Sequence, residues 1–183
     1  MALRQVRISP DDILTKKSRP VVEVNDKIKE LVADMKETMY STEGVGLAAV
    51  QVGVLRRVLV IDVSDDGTDP IVAINPEVLH REGTQQEREA CLSVPRLSGM
   101  VERPAIIVIK ALDEHGKEFE LECDGFLAVA MCHELDHLDG ILYDSKATQL
   151  FEEDEDEQRK RRAERKAKGK KLGKKGSAKR RFK

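Results

Sequence analysis

The chain has 183 residues, 40% hydrophobic and 36% charged, with a formal net charge of -2, enough for one domain with a sizeable buried core. No stretch reaches the roughly 18 apolar residues of a membrane span, and Met1 to Pro10 has basic residues but no apolar run, so the expected location is the cytoplasm. Three cysteines, Cys91, Cys123 and Cys132, cannot all pair and are too few for a disulfide scaffold, which leaves reduced thiols.

In chain order, Asn25 can cap a helix whose apolar positions Ile28, Leu31, Val32, Met35 and Met39 follow the helical period as far as Tyr40. The glycines at 44 and 46 break that pattern. Arg57 to Val63 reads as a strand, and a short apolar run follows at Ile71 to Ile74. After a polar stretch around Thr84 to Arg88, Ile106 to Leu112 and Lys117 to Cys123 flank Asp113-Glu114-His115-Gly116, a hairpin with glycine at the tight position. Asp124 can cap a second helix, with Leu127, Ala130, Met131, Leu135 and Leu138 on its apolar side and a stop near Gly140. Strands and helices follow one another without regular βαβ alternation, so the expected class is α+β. The composition changes at Phe151, so the core domain is expected to span residues 1–150 and a charged tail residues 151–183. Within the tail, Glu155 and Arg159, Asp156 and Lys160, and Glu157 and Arg161 have the spacing of a solvated helix, with fraying expected beyond Ala167. Residues 151–183 carry 15 Lys and Arg against 7 Asp and Glu, which leaves 17 against 27 in residues 1–150. An acidic body with a basic tail points to a partner that attracts one end only, most simply a phosphate backbone.

The second helix carries His133-Glu134-Leu135-Asp136-His137, the HExxH pattern. Residues four apart lie one above the other on a helix, and a rise of about 1.5 Å per residue separates the two imidazoles by roughly 6 Å along the axis. One metal ion can bridge that span, with Glu134 beside it as a general base. A hydrolytic site needs a third protein ligand. In the longer pattern HExxHxxGxxH the chain matches through Gly140 but has Tyr143 in place of the last histidine, which weakens a protease reading. Glu152 or Glu153 could serve, although an acidic run is more often a solvated face. Cys91, in Glu89-Ala90-Cys91-Leu92-Ser93, is the better candidate because thiolates bind soft and borderline metals well. Its bland alternative is a small buried hydrophobe. The loop Glu43 to Gly53 lacks both a Walker ending and GxGxxG, so it is not a phosphate cradle.

Taken together and in order, GVGLAAVQ at residues 44–51, EACLS at 89–93 and HELDH at 133–137 resemble the three motifs of peptide deformylase. The similarity runs from about Leu3 to Tyr143, takes in Val101-Glu102-Arg103-Pro104 and the hairpin with Gly116, and excludes the tail. It implies mixed or antiparallel sheets around the helix bearing HExDH, and removal of the formyl group from N-formyl-methionyl nascent peptides with release of formate. It also implies Cys91, His133 and His137 as metal ligands, Glu134 as general base, and Gln51 with the Leu92 N–H as donors to the developing oxyanion. Gly46 and Ala90 resemble backbone-contact positions, while Val45, Phe126 and Val129 fall where the family lines its methionine pocket. Glu89 and Arg103 resemble an ion pair that steadies the Cys91 loop. The implied ion is Fe2+, with Zn2+, Ni2+ or Co2+ able to substitute. Three positions depart from the family pattern: Ala90 for glycine, Val50 for proline or a small residue, and Cys132 for glutamine. Cys132 could be packing or an oxidation-sensitive second thiol.

Residues 158–183 hold 15 basic residues and one acid, Glu164, with no aromatic interleaving. Sequence-tolerant binding to rRNA on the ribosome is one use for such a tail, and a solubilising extension is the other. Two further readings are a zinc endopeptidase, which would not need Cys91, and a non-catalytic ribosome-associated module.

Overall fold

The computed structural model describes residues 2–64, 66–154, 156, 157 and 160, and the backbone of residues 179–182. An extended N-terminal segment leads through a 3-10 turn at Asp12–Thr15, capped by Asp11, into α1 (Asp26–Ser41). Asn25 caps α1 as expected, its side chain accepting from the Ile28 N–H at 3.2 Å. Then come β1 (Gly46–Ala48), a 3-10 turn at Ala49–Val52, β2 (Val58–Ile61), β3 (Ile71–Glu82), β4 (Gln85–Cys91), β5 (Val94–Arg103), β6 (Ile106–Leu112), β7 (Glu118–Asp124), α2 (Gly125–Leu138), β8 (Gln149–Glu152) and β9 (Lys179–Phe182).

The strands form two sheets, one of six in the order β1-β2-β3-β6-β7-β9 and one of three in the order β4-β5-β8, with every pairing antiparallel. The larger sheet lies between the two helices, and β2 shows why its sequence lacks polar alternation. Leu59 and Ile61 pack with Met131, Leu135 and Leu138 of α2, while Val58 and Val60 pack with Val32, Met35 and Met39 of α1. A strand covered on both faces reads as a continuous apolar run. Nearly all of α2 is buried, from Leu127 through Leu135 and again at His137 and Leu138, as befits a helix that is apolar all round. No helix among the described residues is long and apolar enough to cross a membrane.

The expected α+β class, both helices and the hairpin at Gly116 agree with the structure. Four local expectations are corrected. Asp124 stands at the N-cap of α2, but its side chain makes no capping hydrogen bond. The strand expected at Ile71 to Ile74 continues to Glu82, and the polar stretch around Thr84 to Arg88 belongs largely to β4. The core passes residue 150: β8 pairs with β5, and Glu153 is 5% exposed, paired with Arg88 at 3.0 Å. Beyond Ala167, where fraying was expected, the backbone of β9 pairs with β7 from Glu122↔Lys179 to Phe119↔Phe182. At the head of the tail, Asp154 and Glu157 exchange backbone-to-carboxylate hydrogen bonds of 2.8 and 3.1 Å in the manner of a capping box. The expected ion pairs involving Glu155, Arg159 and Arg161 lie outside the described residues.

Candidate metal centre and active-site groove

Two structural units deliver the site. Helix α2 presents His133 and His137 on one face, with ring centroids 4.9 Å apart and planes at 74°. The end of β4 presents Cys91 beside the two-residue turn Leu92-Ser93. The Cys91 Sγ is 3.1 Å from His137 Nε2, and one donor atom from each of Cys91, His133 and His137 lies within 4.8 Å of the others. All three residues are at least nine-tenths buried. A sulfur and two imidazole nitrogens converging in one small volume suit a zinc-type or iron-type ion and leave room for an exchangeable position.

Two of the three candidate ligands, His133 and Cys91, are held by neighbours, whereas His137 Nδ1 is buried with no hydrogen-bond partner among the described residues. His133 Nδ1 meets Glu89 Oε2 at 2.7 Å, which directs its Nε2 toward the site. Glu89 is in turn gripped by Arg103, at 2.6 Å through Nε and 2.9 Å through the second amino nitrogen. The same guanidinium reaches Asp136 at 2.6 Å, and Lys146 holds Asp136 from the far side at 2.7 Å. Burial would raise the Glu89 carboxyl, but Arg103 and His133 outweigh it and bring its pKa down to about 2. The expected ion pair therefore extends further than foreseen, locking the His133 imidazole as well as the Cys91 strand. Burial also works against a Cys91 thiolate, yet His137 and His133 hold this thiol well below its ordinary value. The Ser93 N–H and the Gln51 amide, 3.4 and 3.5 Å from Sγ, further favour the anion.

Glu134 lines the groove together with Gly46, Gln51 and Cys91. It is 4% exposed, its Oε2 has no hydrogen-bond partner among the described residues, and burial pushes its pKa up to about 7. Gly46 lies against it: a Cβ there would collide with Glu134 Oε1. Gln51, 1% exposed, accepts from the Ala48 N–H at 2.8 Å through Oε1, so its amino group turns toward Cys91 Sγ and Ser93 Oγ. Leu92 sits in the turn just beyond Cys91. A cavity of about 110 Å³ opens beside these groups, and Val45, Gly46, Ala90, Phe126 and Val129 all line it.

The other candidate ligands lie elsewhere. Tyr143 is fully buried and stacks on the His133 ring at 5.8 Å, so it braces a candidate ligand. Glu153 is paired with Arg88, and Glu152 belongs to β8. Cys132, on α2 itself, is 7% exposed within the core, and burial lifts its thiol to about 11, which fits packing. Sequence reasoning missed Tyr143, Ser93, Asp136 and Lys146 as supports: Ser93, Asp136 and Tyr143 stand inside recognised patterns, but what each side chain touches is set by the fold and not by the pattern.

The polypeptide deformylase family model matches residues 3–152. The chain belongs to that family. It is 54% identical over 146 residues to the peptide deformylase of Lachnoclostridium phytofermentans, covering 80% of this chain and 90% of that one. Its fold is similar to the crystal structure of the peptide deformylase from Thermotoga maritima, with a TM-score of 0.77, 36% identity, and coverage of 81% of this chain and 100% of that one. A Met-Ala-Ser-bound peptide deformylase from Acinetobacter baumannii is similar at a TM-score of 0.75 and 31% identity, over 79% of this chain and 98% of that one. Like the family, this deformylase is a hydrolase that removes the N-formyl group from nascent peptides. The family is metal-dependent, and the Cys91, His133 and His137 cluster is the candidate metal site.

Proposed function

We propose that the formyl group is hydrolysed in the groove between β1 and β4, with Glu134 as general base and acid. A divalent ion held by Cys91, His133 and His137 would polarise the formyl carbonyl and acidify water. Fe2+ is the proposed resident ion on the family resemblance, with Zn2+, Ni2+ and Co2+ as substitutes; the mixed sulfur and nitrogen donors suit iron and zinc alike. Glu134 takes the proton from the attacking water and later passes it to the departing amine; a carboxyl poised near 7 can do both near neutral pH. The Gln51 amino group and the Leu92 N–H donate to the oxygen on which negative charge develops.

β1 and β4 are each terminal strands of their sheets. An extended peptide between them can pair with both edges, near Gly46 and Ala90, while its methionine side chain enters the space among Val45, Phe126 and Val129. The Met-Ala-Ser carried by the Acinetobacter baumannii relative supports a peptide start as occupant. The basic residues beyond 157 bind rRNA on the ribosome through phosphate neutralisation, in the cytoplasm where chains emerge.

The buried Glu134 carboxylate, its Oε2 without a partner among the described residues, beside a sulfur and two imidazoles carries this reading. The test is formate yield from formyl-Met-Ala-Ser. Glu134→Gln should reduce kcat on the order of 10² to 10⁴-fold, and Cys91→Ala should lose both metal and turnover. Formate release by Glu134→Gln within a few-fold of the parent would overturn it. Deleting residues 158–183 should weaken ribosome binding and flatten its salt dependence while sparing turnover of the small peptide.

A further inference from the structure

The N-terminal segment hydrogen-bonds to the backbone at Gln51, at Ser93 and at the end of α2. It begins tied to α1, where the Ala2 N–H donates to Asp34 at 2.7 Å and the Arg4 N–H to Thr38 Oγ1 at 3.0 Å, with the Arg4 side chain paired to Asp34 at 2.8 Å. It then crosses the two walls of the groove. The Arg7 N–H donates to the Gln51 carbonyl at 2.7 Å, and the Ser9 N–H donates to the Ser93 carbonyl at 2.8 Å. Farther on, the Ser18 N–H donates to the Leu138 carbonyl at the end of α2, also at 2.8 Å.

Gln51 and Ser93 belong to different structural units. Gln51 follows β1 of the six-stranded sheet, Ser93 follows β4 of the three-stranded sheet, and among the described residues no strand pairing joins the two sheets. What crosses between them here is the Gln51 side chain, 3.1 Å from Ser93 Oγ and 3.5 Å from Cys91 Sγ, and the backbone of residues 7–9. N–H groups two residues apart on extended chain point the same way, and their spacing of roughly 6 to 7 Å is set by covalent geometry. Two such groups gripping one carbonyl on each wall form a rigid spacer.

We infer that the backbone of Arg7–Ser9 positions Gln51 and the Leu92-Ser93 turn relative to each other, acting as a gauge of the distance between the two oxyanion donors. The Arg7 side chain is exposed, so the active part is its N–H and not its guanidinium. Arg7 is a positioning residue that acts through Gln51, and the inference rests on the donor roles proposed above.

The experiment compares Arg7→Pro, which removes the N–H, with Arg7→Ala, which keeps it, on formyl-Met-Ala-Ser with metal content measured alongside. A backbone ester at position 7 deletes the N–H alone, and Gln51→Ala reports on the donor itself. Arg7→Pro and the ester should lower kcat on the order of tenfold, with KM within about twofold and bound metal retained, and Arg7→Ala should restore kcat. The Gln51 side-chain amide resonances should shift in the ester and stay in place in Arg7→Ala. Unchanged kcat in the ester, or equal losses in ester and Arg7→Ala, overturns the inference. A kcat loss in Gln51→Ala without one in the ester overturns the gauge alone; no loss in Gln51→Ala removes the donor assignment and the gauge with it.

Discussion

The two walls of the groove are held in place by different forces. Behind Gly46 and Gln51 stands the six-stranded sheet, whose strand β2 is fully buried by α1 on one face and α2 on the other. Behind Cys91 stands a three-stranded sheet whose apolar cluster is small, with Cys91, Val94, Val101 and Tyr143 as its buried members. That second wall is tied down by charge: Arg103 to Glu89 and Asp136, and Arg88 to Glu153, with the Arg88 guanidinium 4.2 Å over the Phe151 ring. Volume secures the first wall and ion pairs secure the second, so the two should fail in different ways.

The largest expected effect is on the charged wall. Arg103→Ala strands the buried Glu89 carboxylate, 1% exposed, and should cost about 3 to 5 kcal/mol in urea unfolding. It should also lower the content of bound metal, since His133 loses its fixed support. Leu59→Ala, at a fully buried position of the apolar wall, should cost about 2 to 5 kcal/mol through lost burial and a residual cavity, with kcat of the folded fraction little changed. Equal metal loss in both variants would erase the distinction. Gly46→Ala should fold but displace the Glu134 carboxylate it would strike, lowering kcat on the order of 10²-fold in steady-state assays.

The smallest effect concerns Asp34, which anchors the N-terminal segment to the apolar wall. The Ala2 N–H holds its carboxyl below the ordinary carboxylate range, and Arg4 adds to this, although burial opposes both. A carboxylate with a folded pKa below its unfolded value contributes stability above the unfolded pKa, near 4, and that contribution disappears as pH falls through the folded value. Asp34→Asn should therefore lower stability by about 1 kcal/mol at pH 7 and show less acid sensitivity below pH 4, measured by thermal unfolding across pH.

The same contrast explains what could be read from the sequence. β2, both helices and the hairpin joining β6 to β7 bury apolar side chains, so their periodicity survives in the residue order. β4 and β5 escaped recognition because their inward positions include Glu89, Ser98 and Arg103, which are buried yet polar. The exposed second half of β3 likewise gives no apolar signal. At the site, the histidines and Glu134 follow from helical spacing, and Cys91 from the recognisable run around it. The stacking of Tyr143 on His133, the link from Asp136 to Lys146, and the backbone contacts of Arg7 and Ser9 depend on segments 10 to 84 residues apart. Nothing local marks them.

Arg103 divides one guanidinium between a carboxylate on β4 and another on α2. Over evolutionary time Arg103 and Glu89 are tied together: losing Arg103 alone leaves the buried Glu89 carboxylate without its cation, whereas Asp136 keeps Lys146 as a partner. Relatives that lack Arg103 should also differ at Glu89, a signature of covariation that sequence collections can reveal without any protein being made.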